Sequence, residues 1–171
     1  MPWQPMHMAA LVSTEVLAAA GAEAATCGVR SPHPASPASA VSTVAGARVR
    51  KVHTTLETGF AIPDDDVLDA AITKRTKAIV FSNPSNPTGA VYSPAEVKAI
   101  GEWAVAHGLW VVTDEIYEHI VYDGREHVPA ITLPGMRDRT ILVNGVAKSY
   151  AMTGWRLGWM AGPLDAMKAA G

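Results

Sequence analysis

A lysine in apolar surroundings is the residue of this sequence best suited to nucleophilic chemistry. Lys148 lies in the run NGVAKSYAMTGWRLGWMAG, among Ala, Tyr, Met and Trp residues. Enclosure by apolar groups favours the neutral, nucleophilic form of an amine. Arg156 follows later in the same run and offers a rigid fork of donors that suits a phosphate group. The run therefore combines a candidate nucleophile with a candidate anion-binding group.

Three further polar residues have types that support such chemistry. Asn86 lies in the turn sequence SNPSNPTG, and Asp114 and Tyr117 lie in TDEIYE. Each alone has an ordinary explanation: a turn residue, a helix cap and a core aromatic, respectively. Lys148 and Arg156 alone would be solvated surface residues. Only the combination of all five indicates a functional site.

The pattern of the chain from residue 52 onward predicts the elements that position these residues. Short apolar runs predict strands over 77–82, 109–113 and 140–144. A helix is predicted over 63–75, and a second one begins at a capping box formed by Ser93, Pro94 and Glu96 and ends at Gly108. Alternating strands and helices are typical of an α/β layered fold, whose ligands bind at the carboxyl ends of the strands. Each polar cluster follows a predicted strand, so we expect a shared site at that edge.

The first 51 residues differ from the rest of the chain in amino-acid composition and in the pattern of their apolar residues. Residues 9–25 are rich in alanine and predict a helix on propensity alone. Residues 31–47 are mainly Pro, Ala and Ser, which predicts a poorly ordered linker. We therefore divide the chain into an atypical segment, 1–51, without recognisable chemistry, and a partial catalytic domain, 52–171.

Composition excludes several classes of protein. The chain has 171 residues and a formal net charge of -2, so it offers no broad positive field for nucleic acid or anionic lipid. Its single cysteine, Cys27, cannot form an internal disulfide and favours a reducing, cytoplasmic location. No apolar run approaches the roughly 20 residues of a membrane span. The six histidines show no metal-binding spacing, and no metal is predicted. Trp155, Trp159 and Met160 predict apolar core or subunit packing.

Three blocks together resemble the signature segments of class I/II aminotransferases, which are fold-type I enzymes that use pyridoxal 5′-phosphate. The blocks are SNPSNPTG, VVTDEIYE and NGVAKSYAMTGWRLGWMAGP, and their order and spacing match from Val52 to Lys168. The resemblance implies part of a three-layer α/β/α large domain with a mostly parallel sheet. It also implies amino-group transfer between an α-amino acid and a 2-oxo acid, as in aspartate aminotransferase, by a homodimer.

The resemblance also implies a role for each candidate residue. Lys148 matches the lysine that forms a Schiff base with the cofactor aldehyde and then moves the substrate proton. Asp114 matches the carboxylate that keeps the pyridine nitrogen protonated, so that the ring withdraws electrons. Asn86 and Tyr117 match the donors to the phenolic oxygen. Arg156 matches the arginine that holds the phosphate. Ile116 matches the small apolar residue that lies against the ring face.

The chain also departs from the family pattern. Ala147 stands where many relatives have serine, and residues 1–51 show neither the glycine-rich phosphate turn nor the ring-stacking aromatic of the family. The smaller domain, which grips the substrate carboxylate, is not recognisable either. We therefore expect a truncated polypeptide. A non-catalytic remnant or assembly partner, and a related fold-type I lyase or synthase, remain alternatives to an aminotransferase.

Overall fold

The computed structural model describes residues 15–20 and 47–170. Within these ranges, the chain forms six strands and three α-helices. In chain order they are β1 (Glu15–Ala20), β2 (Arg48–His53), α1 (Asp65–Ala71), β3 (Thr76–Ser82), α2 (Pro94–Ala106), β4 (Trp110–Asp114), β5 (Thr140–Gly145), β6 (Gly158–Ala161) and α3 (Leu164–Ala170). None of these helices has both the length and the apolar character needed to cross a bilayer. The cytoplasmic location stays a prediction.

All six strands form one sheet in the order β2-β1-β3-β4-β5-β6. The first four pairings are parallel, and only β6 runs antiparallel to its neighbour β5. Ser82 at the end of β3 pairs with Asp114, and Asp114 pairs with Val143 on β5. The carboxyl ends of β3, β4 and β5 therefore meet at one edge, as the sequence predicts, and the mostly parallel α/β architecture is confirmed.

The helix predicted over residues 9–25 is wrong where the structure describes it. Glu15–Ala20 forms β1, which pairs with β2 on one side and with β3 on the other. Alanine propensity is a weak preference, and backbone pairing on both edges of a strand overrides it. The other residues of that prediction, and nearly all of the linker predicted over 31–47, lie outside the described residues. β2 itself runs across the predicted boundary at residue 51.

The predicted helix over 63–75 is also too long, since α1 ends at Ala71. Ile72 adopts an extended conformation, and the next amide, Thr73 N–H, donates to the Thr76 hydroxyl at 2.9 Å. This local bond to a side chain competes with the helical pattern and ends the helix. The three strands predicted downstream lie within one residue of β3, β4 and β5.

The core lies between β2, β3 and β4 on one side and the buried faces of α1 and α2 on the other. Its largest fully buried apolar side chains are Leu68, Ile79, Val97, Ile100 and Val111. A hydrogen bond crosses between the two helices, because the Trp103 indole N–H donates to Asp69 at 2.8 Å. This packing holds β3 and β4 rigidly and so fixes the positions of the loops that follow them.

The capping box at the start of α2 gives a testable prediction about the stability of this helix. The Ser93 hydroxyl accepts from Glu96 N–H, and the Glu96 carboxylate accepts from Ser93 N–H at 2.8 Å. We expect Ser93→Ala to lower the free energy of unfolding by about 1 kcal/mol, because the helix loses its N-terminal acceptor. Urea denaturation measures the change. Ser93→Thr keeps the acceptor, so an equal loss in that variant would contradict this role for the cap.

Candidate active site

The candidate site lies at the carboxyl edge of the sheet, where three loops leave β3, β4 and β5. Asn86 lies in the loop after β3, and Asp114 ends β4. Ile116 and Tyr117 follow at once, and Lys148 lies just beyond β5. The parallel arrangement of the three strands thus brings residues that are far apart in sequence to one edge.

The backbone around Asp114 is held from both neighbouring strands. Asn83 N–H, just after β3, donates to the carbonyl of Asp114 at 3.0 Å. Glu115 N–H donates to the carbonyl of Val143 on β5 at 2.9 Å. Asp114 therefore occupies a fixed place between β3 and β5, with its exposed side chain at the edge of the sheet.

The environment of the Asp114 carboxyl favours a positively charged partner. Desolvation by the surrounding protein raises the pKa of Asp114; the hydrogen bond from Ile116 N–H, 3.2 Å long, opposes this rise, and the charge of Glu115 adds to it. No ion pair joins Asp114 to a cation in the described part of the chain. A cationic ligand group at this carboxylate would relieve the penalty.

Asn86 and Tyr117 form a direct pair across two loops. The Asn86 side-chain amide donates to the Tyr117 phenolic oxygen at 3.2 Å. Because Tyr117 accepts this bond, its own hydroxyl proton stays available for a ligand. Lys148 completes the group, since its Nζ atom lies 5.8 Å from the centre of the Tyr117 ring. The structure thus brings Asn86, Tyr117 and Lys148 together.

An open groove lies beside this pair and has room for a small ligand. Its volume is about 500 Å³, within the range of ordinary ligand sites. The lining includes Phe60, Asn86, Tyr117, Tyr122 and Arg125.

Close backbone approach holds the Lys148 loop against the Asp114 loop. A Cβ atom on Gly145 would lie 2.9 Å from the carbonyl oxygen of Leu157, so a side chain does not fit there without movement. The same position lies 3.7 Å from the Cδ1 atom of Ile116. In addition, the Ser149 hydroxyl donates to the carbonyl of Ile116 at 3.5 Å. Ile116 thus lies between the strand end and the lysine loop.

Arg156 is placed differently from the other predicted residues. It has a left-handed backbone with φ of 52°, and its guanidinium donates to the carbonyl of Thr153 at 3.4 Å. Among the described residues, the Arg156 guanidinium forms no other hydrogen bond. It contacts none of the other predicted site residues through a hydrogen bond or an ion pair. Its side chain is exposed and free to turn toward a ligand.

The apolar enclosure predicted for Lys148 is wrong for the described structure. Lys148 is exposed, and so are the apolar side chains around it, with Tyr150 at 57%, Trp155 at 73% and Trp159 at 41%. Met152 and Leu157, in the same segment, are exposed as well. Core packing is therefore wrong for Trp155 and Trp159, whereas subunit packing stays a prediction.

Sequence reasoning missed a buried polar cluster directly behind the site. Asn83 and Glu115 each form a hydrogen bond with His127, and all three side chains are almost fully buried. The one available signal was Glu115: successive side chains of a strand point to opposite faces, so an acid following Asp114 must point into the core. Glu118 also brings a carboxylate oxygen within 4.8 Å of ligand atoms of Glu115 and His127.

A scan for family likeness matches residues 13–170 to the aminotransferase class I and II model. The chain belongs to this family. An aspartate aminotransferase of Streptomyces avermitilis is 54% identical over 114 residues, which is 66% of this chain and 28% of that protein. An aspartate/prephenate aminotransferase of Thermus thermophilus is 46% identical over 125 residues, 73% of this chain and 31% of that protein.

Solved aminotransferases have the same fold. The aspartate aminotransferase of Thermus thermophilus with maleate superposes with a TM-score of 0.80 and 39% identity, covering 95% of this chain and 39% of that one. The N-succinyldiaminopimelate aminotransferase of Mycobacterium tuberculosis gives a TM-score of 0.77 and 38% identity, over 92% and 38% of the two chains. The fold-type I prediction is thereby confirmed.

The extent of the match corrects one expectation and sets a limit. The family likeness begins at residue 13, so it extends upstream of Val52, where the sequence blocks first suggested it. The chain spans about 28–31% of the length of the curated aminotransferases named above, so it corresponds to part of the large domain.

Proposed function

We propose that this chain binds pyridoxal 5′-phosphate and carries out amino transfer between an α-amino acid and a 2-oxo acid. The observation that carries the proposal is that Asn86, Tyr117 and Lys148 lie close together at the carboxyl edge of the sheet, where Asp114 ends β4. The names of the relatives favour aspartate as the amino donor. Bound pyridoxal phosphate supplies an aldehyde for covalent attachment and a ring that withdraws electrons from the substrate.

The residues at this edge fit the parts of that cofactor. The Asp114 carboxylate is partly desolvated and has no cationic partner in the described structure, so it suits a protonated pyridine nitrogen. A carboxylate beside that nitrogen keeps it protonated, because opposite charges stabilise each other at short range. Asp114 would therefore hold a proton on the ring nitrogen and orient the ring.

The Asn86–Tyr117 pair fits the phenolic oxygen of the cofactor. Tyr117 accepts from Asn86 at 3.2 Å and so retains a hydroxyl proton to donate. A donor to a phenolic oxygen stabilises its deprotonated form. This pair would therefore stabilise the deprotonated form of the phenolic oxygen.

Lys148 supplies the amine for covalent attachment and then the group that moves the proton. Its Nζ atom lies 5.8 Å from the centre of the Tyr117 ring, and its side chain is exposed, so the amine is accessible to a ligand bound beside Tyr117. With the cofactor bound, Lys148 would also be the base that takes the proton from the substrate Cα atom. Arg156 would hold the phosphate with two parallel bonds, for which its guanidinium would have to leave the carbonyl of Thr153.

A second candidate function is an assembly partner that binds another polypeptide and does not turn over substrate. Five large apolar side chains of the segment 150–159 favour it, since all are exposed and exposed apolar surface marks interaction sites. They are Tyr150, Met152, Trp155, Leu157 and Trp159. The same side chains support homodimerisation in the first proposal, and they follow Lys148 directly in the sequence.

Titration of the purified chain with pyridoxal 5′-phosphate separates the two functions. An active chain develops a visible absorbance band, and adding aspartate then converts the band and releases a 2-oxo acid in proportion to protein. Binding without conversion supports the assembly partner. Elimination products from the amino acid alone would instead support a lyase, and no band at all would refute cofactor binding.

The phenolic donor supplies a milder variant for the same assay. We expect Tyr117→Phe to weaken cofactor affinity about tenfold, because one hydrogen bond to a charged group is worth about 1.5–3 kcal/mol. The pH midpoint of the absorbance change should also rise, since the deprotonated form loses a donor. Tyr122→Phe is the matched control, because Tyr122 lines the same groove but does not pair with Asn86. Equal effects in the two variants would contradict this role for Tyr117.

A further inference from the structure

We propose that Asn83, His127 and Glu115 form a one-directional hydrogen-bond network that positions Asp114 and the Asn86–Tyr117 pair. The relevance of this network to cofactor binding rests on the proposed function, whereas its geometry does not. All three residues are positioning residues, since they lie behind the site and not in the groove. The network is buried: Asn83 is 2% exposed, Glu115 is 1% exposed, and the His127 side chain is 5% exposed.

The network is a continuous chain of hydrogen bonds between two backbone amides. Tyr92 N–H donates to the Asn83 carbonyl oxygen Oδ1 at 2.9 Å. The Asn83 amide nitrogen lies 3.4 Å from His127 Nδ1, and His127 Nε2 lies 2.9 Å from Glu115 Oε2. The other carboxylate oxygen of Glu115 accepts from Ala130 N–H at 3.0 Å and from the Thr113 hydroxyl at 2.9 Å.

The backbone amides fix the direction of every bond in this chain. An N–H group only donates, so the oxygen of the Asn83 side chain must face Tyr92 and its NH2 group must face His127. His127 Nδ1 then accepts, and the ring proton lies on Nε2, which donates to Glu115. At the far end, Ala130 N–H requires an acceptor, which the Glu115 carboxylate provides. Reversal of any single link leaves two donors facing each other.

The network joins the two segments that carry the site. Asn83 begins the loop that contains Asn86, and Asn83 N–H also donates to the carbonyl of Asp114. Glu115 lies between Asp114 and Tyr117 in sequence and points into the core while Asp114 points to the edge. Anchoring of the Glu115 side chain therefore sets the direction of Asp114, and anchoring of Asn83 sets the distance between the two loops.

The same residues do not form an open metal site. Glu115, Glu118 and His127 bring potential ligand atoms within 4.8 Å of one another. However, both ring nitrogens of His127 are engaged, one by Asn83 and the other by Glu115. A metal at this place would have to displace these buried bonds, so hydrogen bonding accounts for the cluster.

Glu115→Gln tests the direction of the network. The introduced glutamine has one oxygen and one NH2 group, so Ala130 N–H and His127 Nε2–H cannot both find an acceptor. The double variant Asn83→Asp with Glu115→Gln reverses the chain. In it the glutamine NH2 group donates to His127 Nε2, His127 Nδ1–H donates to the introduced aspartate, and Tyr92 N–H keeps its acceptor.

Every group of the network is satisfied again in the double variant, and its net charge equals that of the parent chain. Recovery in the double variant therefore reports the direction of the bonds and not the total charge. Thr140→Val is a control, since Thr140 is buried at the opposite end of β5.

Imidazole nitrogen NMR on the cofactor-free chain reads the direction itself. We expect the His127 proton on Nε2 in the parent chain and on Nδ1 in the double variant. The amide resonance of Ile116, which donates to Asp114, should shift in Glu115→Gln and return in the double variant. A parent proton on Nδ1, or an unchanged Ile116 amide in Glu115→Gln, would overturn the proposal. If the single variant does not fold, failure of the double variant to fold would overturn it too.

Cofactor affinity then tests the consequence for the site. We expect Glu115→Gln to weaken pyridoxal 5′-phosphate binding about tenfold, because a buried acceptor is lost. The double variant should recover most of the affinity. Thr140→Val should bind the cofactor as tightly as the parent chain does. Parent affinity in a folded Glu115→Gln chain would contradict a positioning role. If the parent chain binds no cofactor, the proposed function fails, and the His127 proton position together with the Ile116 amide decides this inference.

Discussion

Lys148→Ala is expected to abolish the visible absorbance band that pyridoxal 5′-phosphate gives with the parent chain. The reason is that Lys148 is the amine at the edge where Asn86 and Tyr117 converge, and its removal leaves the aldehyde without a covalent partner. Amino transfer should fall by about 10²–10⁴ where the parent is active, the usual contribution of a positioned proton-transfer group. Titration followed by absorbance measures the first effect, and 2-oxo acid release measures the second.

The fold should survive this substitution, because the Lys148 side chain is exposed and forms no ion pair within the described residues. The thermal unfolding midpoint of the variant should therefore equal that of the parent. Lys168→Ala in α3 is the matched control, since it removes another exposed lysine far along the chain. A full absorbance band in Lys148→Ala, or its loss in Lys168→Ala, would assign the attachment to another amine.

Asp114→Asn is expected to change stability and cofactor affinity in opposite directions. Desolvation penalises the Asp114 carboxylate, so a neutral isostere should raise the unfolding midpoint of the cofactor-free chain at pH 7. The same change removes the charge that would hold the pyridine nitrogen, so cofactor affinity should fall about ten- to hundredfold. Thermal unfolding and absorbance titration measure the two effects separately. A stability loss together with unchanged affinity would contradict this role for Asp114.

The stability gain of Asp114→Asn should also depend on pH in a defined direction. The folded chain has a raised pKa at Asp114, so it binds this proton more tightly than the unfolded chain does. The penalty is absent at a pH below the pKa of Asp114 in the unfolded chain. It grows as pH rises through the pKa of Asp114 in the folded chain and is constant above that pKa. The gain should therefore be present at pH 7 and vanish in acid. A gain that increases in acid would show that the pKa is lowered instead.

The sequence predicted the strands that position the candidate site better than the surroundings of its residues. Apolar runs located β3, β4 and β5 to within one residue, because buried strands have a simple pattern. Since the three strands are parallel, Asn86, Asp114 and Lys148 had to come to one edge. The type of each residue and its place after a strand were therefore enough to predict the group.

Features that depend on contacts between distant segments escaped prediction. The alanine-rich run at Glu15–Ala20 has high helix propensity, yet pairing with β2 and β3 makes it a strand. The hydrogen bond between Asn83 and His127 joins residues 44 positions apart, so no local sequence pattern predicts it. The exposure of Trp155 also contradicts its apolar character, because burial depends on what packs against a residue.

Borohydride reduction of the chain with pyridoxal 5′-phosphate, followed by peptide mass mapping, is the most direct test of the central claim. Reduction makes a bond between the cofactor aldehyde and a lysine amine permanent. The site geometry predicts that the added mass lies on the peptide that contains Lys148, and that Asp114→Asn lowers the yield without moving the position. Modification spread over several exposed lysines, or absent from Lys148, would contradict the account.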